Sequence, residues 1–137
     1  MLRSFALGEP TKLYRDLHAA ADGAFDAIAS VLKAGATPAQ VIEASGVIED
    51  AGFTIIDDLL HGYGGGYLPP ILGSKSRPAG PIPEAPFRAG QTVVIQPNVV
   101  TRDGKAGVQT GEMVLITDTG IERFHAMPRG FAMLEAR

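Results

Sequence analysis

The chain has 137 residues, a formal net charge of −3, 45% hydrophobic residues, 20% charged residues and no cysteine. This length supports one domain with a real core, since a domain of about 150 residues buries roughly two-thirds of the surface that its unfolded chain exposes. The acidic balance gives no electrostatic basis for binding nucleic acid or an anionic membrane. The lack of cysteine excludes disulfides, thiolate zinc sites and a catalytic thiol. We expect a single domain over residues 1–137.

No segment has the features of a targeting or membrane-spanning sequence. The N-terminus lacks the apolar run behind a basic cluster that is typical of a signal peptide. Nowhere do about 18 apolar residues follow one another, as a membrane-spanning helix requires. We therefore expect a cytoplasmic protein that binds neither membranes nor nucleic acids.

The first third of the chain predicts a short strand followed by a helix. Residues 2–7 favour a strand, and Thr11 is placed to cap the helix. Apolar residues then recur at three- and four-residue spacing from Leu13 to Leu32, which is typical of one buried helical stripe. Gly35 is expected to end this helix as a glycine C-cap.

A capping-box pattern predicts a second helix. Thr37 is the capping residue, Pro38 takes the first helical position, and Gln40 can return a hydrogen bond to the amide of the cap. The helix is expected to continue to about Asp50 and to end at Gly52. These two helices form the helical layer of the predicted domain.

The apolar pattern changes at residue 53. Residues 53–56 favour a short strand, and a glycine-rich loop over 61–70 is expected to hold His61. Residues 68–87 contain six prolines, and proline lacks the amide hydrogen that a helix or a central strand requires. We therefore expect that stretch to be irregular.

Three β segments are predicted in the last third of the chain. One runs over 92–100 and bends at Pro97. Residues 113–117 and 121–124 are joined by a turn at 118–120 and are expected to form a hairpin. A strand, two helices and then mostly antiparallel strands indicate an α+β fold in which two helices pack on a sheet.

Several segments, in this order, resemble those of one enzyme superfamily. They are RSFALG at 3–8, the helical pair, His61-Gly62-Tyr63-Gly64, GQTVVIQP at 90–97 and AGVQTGEMVLITDTG at 106–120. Together they resemble the C-terminal half of the catalytic domain of the pita-bread metallopeptidases. That superfamily includes methionine aminopeptidase, aminopeptidase P, prolidase and creatinase. The resemblance implies a pita-bread half-domain over the whole chain and a hydrolase ancestry.

The resemblance also implies which residues stand at the metal-binding positions of the family. His61 matches the histidine ligand, and Gln96 stands where the family has a glutamate ligand. Gly111 stands at the glutamate that bridges two metals, and Glu112 at the acidic residue after it. Leu68 stands where many members carry a second histidine that faces the substrate.

The resemblance leaves His61 as the one matching ligand out of five. The two aspartate ligands of the family correspond to positions before Met1. A hydrolytic centre with two divalent ions needs several anionic oxygens to hold the ions and to activate a bridging water. Gln96 offers one neutral carbonyl and Gly111 offers no side chain. We therefore expect no metal cofactor, although the family uses two divalent metals.

Three functions are consistent with this pattern. The first is a prolidase-like or Xaa-Pro peptidase-like hydrolase domain or fragment with an incomplete metal site, inactive as a metallopeptidase by itself. The second is metal-free hydrolysis of a small amide or amidine, as in creatinase, with His61 and Glu112 as the catalytic pair. The third is a non-catalytic module that binds a peptide or a protein. In each case Tyr63, Tyr67 and Gln96 are the predicted substrate-binding residues, although the tyrosines equally fit a packing role.

Partners follow from the half-domain resemblance. A pita-bread domain has two pseudo-symmetric halves around a shared cleft, so one half alone exposes strand edges and an apolar cleft wall. We expect that wall to be formed by Val93, Ile95, Val114 and Ile116 or their neighbours. Such a surface favours a homodimer or association with a separate N-terminal half.

Overall fold

The computed structural model describes residues 1–135. Its elements, in chain order, are β1 (Ser4–Leu7), α1 (Lys12–Val31), α2 (Pro38–Ala44), α3 (Val47–Asp50), β2 (Thr54–Ile55), β3 (Leu60–Tyr63), β4 (Tyr67–Leu72), β5 (Thr92–Ile95), β6 (Asn98–Val100), β7 (Gly107–Gln109), β8 (Glu112–Ile116), β9 (Ile121–Arg123) and β10 (Phe131–Leu134). Helices pack on mostly antiparallel strands, which confirms the predicted α+β class.

The strands form three sheets. Five strands pair in the order β4-β3-β5-β8-β9, three pair as β2-β6-β7, and β1 pairs with β10. All pairings in the two larger sheets are antiparallel. The β1–β10 pair is parallel. The five-stranded sheet carries His61 on its second strand and therefore positions the candidate site.

Helix α1 supplies much of the buried core. Thr11 caps it, as predicted, with its side chain accepting a hydrogen bond from the amide of Tyr14. The helix ends at Val31, with Leu32 as its cap, so it is shorter than the predicted end at Gly35. Gly35 instead has a positive φ of 85° in the following turn, where its amide donates to the carbonyl of Phe87. The apolar stripe is confirmed from Leu17 onward, with Leu17, Ala24 and Ile28 fully enclosed, whereas Leu13 is 42% exposed.

The second predicted helix is interrupted. The capping box is present: Thr37 Oγ1 accepts from the Gln40 amide at 3.3 Å, and Gln40 Oε1 accepts from the Thr37 amide at 2.8 Å. However, α2 ends at Ala44, and the separate short helix α3 follows. At the break, the Ser45 hydroxyl donates to the carbonyl of Ile42 at 2.7 Å. This local hydrogen bond competes with a continuous helical ladder, as serine side chains often do.

The proline-rich stretch begins with a strand that the sequence did not predict. Residues 68–72 were expected to be irregular, yet β4 spans Tyr67–Leu72 and includes Pro69 and Pro70. Strand β4 is the outer strand of the five-stranded sheet. An edge strand needs backbone donors on one side only, so proline is tolerated there.

Pro97 separates two sheets rather than bending one strand. Strand β5 belongs to the five-stranded sheet and β6 to the three-stranded sheet. The predicted hairpin of β8 and β9 is confirmed, with Ile116 opposite Ile121. Strand β10 was missed because its partner β1 lies more than a hundred residues earlier in the chain.

The two faces of the five-stranded sheet have different roles. Val93, Ile95, Val114 and Ile116 are buried in the core. These four side chains therefore do not form an exposed cleft wall, and that part of the prediction is wrong. Their neighbours Val94, Met113 and Leu115 are half-buried on the other face, because side chains alternate along a strand.

Within residues 1–135, every helix is too short or too polar to span a lipid bilayer.

Candidate functional site

His61 is a strand residue and not a loop residue as predicted. It is the second residue of β3 and lies opposite Val94 of β5, with 6% of its surface exposed. Its Nδ1 is 2.8 Å from the carbonyl oxygen of Gly62. A carbonyl oxygen only accepts hydrogen bonds, so Nδ1 carries the hydrogen in this contact. In the neutral imidazole, Nε2 is then a hydrogen-bond acceptor.

A buried carboxylate organises the residues around His61. Asp58 is 1% exposed. Its Oδ1 accepts a 2.6 Å hydrogen bond from Nε2 of Gln96, and its other oxygen accepts from the hydroxyl of Tyr67. The ring of Tyr67 in turn stacks on His61, with 4.1 Å between the ring centroids. Asp58, His61, Tyr67 and Gln96 thus form one connected group, which we call the Asp58 cluster.

The Asp58 cluster fixes the orientation of two side chains. Because the carboxylate only accepts, the amide nitrogen of Gln96 faces Asp58 and the carbonyl Oε1 points away from it. Burial, the hydrogen bond to Asp58 and the negative charge of Asp58 together raise the pKa of the Tyr67 hydroxyl above its ordinary value. The hydroxyl therefore stays protonated at neutral pH and remains a donor to Asp58.

Gly111 lies directly beside Gln96. A Cβ atom at position 111 would be 2.8 Å from the carbonyl oxygen of Ile95 and 2.9 Å from the Cβ of Gln96. Real Cβ atoms essentially never come this close to other heavy atoms, so the backbone would have to shift before any side chain fitted. The amide and the carbonyl of Gly111 also pair with Leu2 as an isolated β-bridge. Ile95 and Gln96 on one side and Leu2 on the other therefore enclose Gly111.

Glu112 does not join His61. In the sheet register, Leu60, Ile95 and Glu112 lie opposite one another, as do His61, Val94 and Met113. Directly opposed residues share a face, and neighbours along a strand alternate. The carboxylate of Glu112 is therefore on the core face and the imidazole of His61 on the other.

Two arginines hold the carboxylate of Glu112. Arg123 donates two hydrogen bonds to it, both at 2.6 Å, and Arg3 donates a third. Glu112 is fully buried. Burial alone would raise the pKa of Glu112, but the hydrogen bonds and positive charges of the two arginines outweigh it and lower the pKa. The group is thus an ionised member of an ion-pair cluster.

Tyr63 lies at the rim of the cluster, whereas Leu68 is paired with Gly62 of β3. The ring of Tyr63 is tilted against His61 with 6.4 Å between centroids, and 41% of the residue is exposed. Leu68, at the position of the family's second histidine, is 45% exposed. The structure thus brings four predicted residues, His61, Tyr63, Tyr67 and Gln96, to one place.

Asp58 is the site residue that sequence reasoning missed. The available signal was a carboxylate in the apolar run just before His61, after an aspartate, Asp57, with a positive φ of 69°. Its importance arises from contacts with residues 9 and 38 positions away in the sequence. Within residues 1–135, no three His, Cys, Asp or Glu side chains are grouped so that they could hold a metal ion.

The chain superposes closely on several solved structures. The chain superposes on the dipeptidase PepE from Mycobacterium ulcerans with a TM-score of 0.83 and 23% identity, over 98% of this chain and 35% of that one. For the X-Pro aminopeptidase from Thermotoga maritima the TM-score is 0.75 and the identity 22%, over 96% and 36%. For methionine aminopeptidase from Rickettsia prowazekii they are 0.69 and 19%, over 85% and 54%. These likenesses establish the pita-bread fold. The chain spans only about a third to a half of the length of each of these neighbours.

The family assignment comes from the sequence itself. No curated protein sequence matches the chain. The family model described as metallopeptidase family M24 matches residues 1–118. That match covers most of the chain and all the residues of the Asp58 cluster, and it agrees with the resemblance drawn from the motifs. The chain therefore belongs to metallopeptidase family M24.

Proposed function

We propose that this chain is a peptidase-like domain of family M24 with an incomplete metal centre, inactive as a metallopeptidase by itself. The observation that carries the proposal is the state of the two later ligand positions. At one of them Gln96 has its amide nitrogen committed to Asp58 at 2.6 Å. At the other, Gly111 has no side chain and no room for one.

The donor atoms of the cluster do not fit two divalent ions. His61 Nε2 and Gln96 Oε1 carry no negative charge, and both oxygens of Asp58 already accept hydrogen bonds. Divalent ions in hydrolytic centres are held by several carboxylate oxygens, whose charge balances theirs. One imidazole and one amide oxygen do not supply that charge, so we derive no catalytic step through a metal.

The proposal is tested by metal content. The purified chain is dialysed against manganese, cobalt or zinc and then analysed by elemental analysis, with His61→Ala as the matched control. We expect less than one metal per chain, the same content in the variant, and no hydrolysis of Xaa-Pro dipeptides with any of the three metals. Two metals per chain at micromolar affinity, lost in His61→Ala, would refute the proposal.

Restoring the family's carboxylates is a second test of the same idea. We expect the double variant Gln96→Glu, Gly111→Glu to fold less stably and to gain no dimetal site. The glutamate at 111 meets the Ile95 carbonyl and Gln96, and the glutamate at 96 meets the carboxylate of Asp58. Recovery of two bound metals in this variant would mean that the two substitutions alone separate the chain from an active centre.

A second candidate function is a non-catalytic module that binds a peptide or a small amide. The half-exposed rings of Tyr63 and Tyr67 beside His61 favour it, since such aromatic surfaces are common in binding sites. Metal-free catalysis by His61 and Glu112 has less support, because the sheet separates the two side chains. Peptide hydrolysis that is lost in both His61→Ala and Glu112→Gln, in folded protein, would favour that catalysis.

We also propose that the chain works in association, as a homodimer or with a separate N-terminal half. The solved structures on which the chain superposes are larger chains. The outer strand edges of this chain and its exposed apolar side chains also provide a surface that a partner can cover. A cytoplasmic location stays a prediction from the sequence.

A further inference from the structure

We propose that His18 makes the docking of strand β10 on helix α1 depend on pH, so that β10 is docked while the imidazole is neutral and is released when the imidazole is protonated. We call the contact between these two elements the α1–β10 seam. Its members are His18, Asp22, Phe25 and Asp26 of α1 together with Arg129 and Phe131. The seam shares no residue with the Asp58 cluster, so this inference does not depend on the proposed function.

One face of α1 carries the helical half of the seam. Its four helical members are spaced by one to four positions and fall within about two turns, so their side chains lie on one side of the helix. The imidazole of His18 stacks on the ring of Phe131, with 5.0 Å between the centroids and 16° between the planes. The guanidinium of Arg129 lies 4.1 Å from the centre of the Phe25 ring and donates to Asp22 at 2.9 Å. The docked strand thus places an aromatic ring against His18 and a positive charge about one helical turn away from it.

The docked environment of His18 favours the neutral imidazole. Only 7% of the residue is exposed, and its Nε2 is buried without a hydrogen-bond partner among residues 1–135. Both nitrogens of an imidazolium are donors, so protonation would leave an N–H at Nε2 buried with no acceptor. A buried donor without a partner is unfavourable, whereas an undocked imidazolium donates to water. The ring face of Phe131 attracts a cation but supplies no acceptor for this hydrogen.

The charges near His18 belong to Asp22 and Arg129. Burial is the largest effect, and it lowers the pKa of His18 below its ordinary value of 6.5. The negative charge of Asp22 raises this pKa, the positive charge of Arg129 lowers it, and a hydrogen bond to the backbone of Gly130 raises it. Asp22 and Arg129 form an ion pair at 2.9 Å, so their charges largely offset each other at His18 and burial decides the direction.

The sign of the pH dependence follows from the lowered pKa. With β10 undocked, His18 is in water and has its ordinary pKa, so the undocked state binds the proton more readily. Docking is therefore at full strength above pH 6.5 and weakens as the pH falls from 6.5 toward the lower pKa of the docked state. Within residues 1–135, β10 is the only strand that pairs with β1. Release of β10 therefore opens an edge of β1 to another strand.

Amide hydrogen exchange, measured by NMR on the whole chain, tests the proposal. Protection factors, corrected for the pH dependence of exchange in an unstructured chain, are compared at about pH 7.5 and about pH 5.5. Histidine titrates over this range, and carboxylates ordinarily do not. We expect the factors in β10 to fall at least about threefold at the lower pH. Those in β5, which pairs with the strand of His61, should stay nearly constant.

His18→Phe removes the titrating group and retains an aromatic ring against Phe131. We expect β10 to be equally protected at both pH values in this variant. Should His18→Phe fail to fold, His18→Gln takes its place, and its β10 protection is expected to be lower than in the wild type at neutral pH but independent of pH. The matched control is His125→Gln, since His125 is the histidine nearest to β10 in the sequence. This control should keep the loss of protection at the lower pH.

Four results would overturn the inference. In the wild type they are constant protection of β10 between the two pH values, or an equal loss in β5. In the variants they are a pH-dependent loss that persists without the His18 imidazole, or one that disappears in His125→Gln. A purely structural role of His18 would lower the protection of β10 in the variants without removing its dependence on pH. Metal content enters none of these outcomes, so the proposed function is tested separately.

Discussion

At the scale of single residues, the two buried carboxylates of this sheet region differ in the charge of their hydrogen-bond donors. Glu112 receives three hydrogen bonds from two arginines, whereas Asp58 receives two from neutral groups. The sequence motif identified Glu112, because its position next to Gly111 matches a family pattern. Nothing local to the sequence pairs it with Arg3, which is 109 residues away. Motif spacing thus locates a site residue, but only the register of the sheet decides which face it serves.

Glu112→Gln is expected to destabilise the chain and to remove part of its acid sensitivity. Loss of one partner from a buried ion pair costs about 3 kcal/mol in the free energy of unfolding. The pKa of Glu112 in the folded state lies below its ordinary value of 4.5. Its stabilisation is therefore complete above pH 4.5 and is lost as the pH falls through the lower folded-state value.

Urea unfolding followed by circular dichroism at several pH values between about 3 and 7 measures both effects. Glu122→Gln, one strand away on an exposed position of β9, is the control and should change little. Equal stability of Glu112→Gln and wild type at pH 7 would contradict the role given to the ion-pair cluster.

At the scale of elements, local patterns predicted the helices and the hairpin, and long-range pairing set the rest. The capping box at Thr37 and the turn between β8 and β9 act over a few residues, so the sequence reveals them. Strand β4 forms in spite of Pro69 and Pro70 because it needs hydrogen bonds on one side only. Strand β10 depends on β1, and no local pattern can report that contact.

Arg129 is expected to hold β10 against α1. Its guanidinium lies 4.1 Å above the ring of Phe25, donates to Asp22 at 2.9 Å and also donates to Asp26. Arg129→Ala removes a partly enclosed cation–π contact and two charge-assisted hydrogen bonds, so we expect a loss of about 2 kcal/mol in the free energy of unfolding.

Hydrogen exchange in the β10 amides should also be faster in Arg129→Ala, since local opening there becomes easier. The control is Lys105→Ala, because Lys105 is largely exposed and makes one long ion pair, at 3.6 Å, with Asp103. If exchange speeds up equally in β10 and in β5 of Arg129→Ala, the residue stabilises the whole chain and is not a specific tie for β10.

At the scale of the whole molecule, two groups of exposed apolar side chains lie on paired strands, one on the β1–β10 sheet and one on the β3–β4 hairpin. In the first, Phe5 and Leu7 of β1 and Leu134 of β10 lie on one outward face and are 54%, 79% and 49% exposed. In the second, Tyr63, Tyr67, Leu68 and Ile71 are between 38% and 50% exposed. Single exposed apolar residues are ordinary, but contiguous groups mark interaction surfaces.

We therefore expect the chain to be at least a dimer at about micromolar concentration, because a contact that buries these apolar side chains of both copies is favourable and self-association most often takes two-fold symmetry. Light scattering should give at least twice the 14.3 kDa mass of the chain.

The double variant Phe5→Ser, Leu7→Lys should shift the mass toward the monomer if β1 forms the interface. Tyr63→Ser, Leu68→Lys tests the β3–β4 hairpin in the same way, and the variant that dissociates identifies the surface. A 14.3 kDa wild-type species that does not bind a dye for exposed apolar surface would contradict the expectation. In that case the described chain would satisfy its own strand edges, and a separate N-terminal half would be the partner left to test.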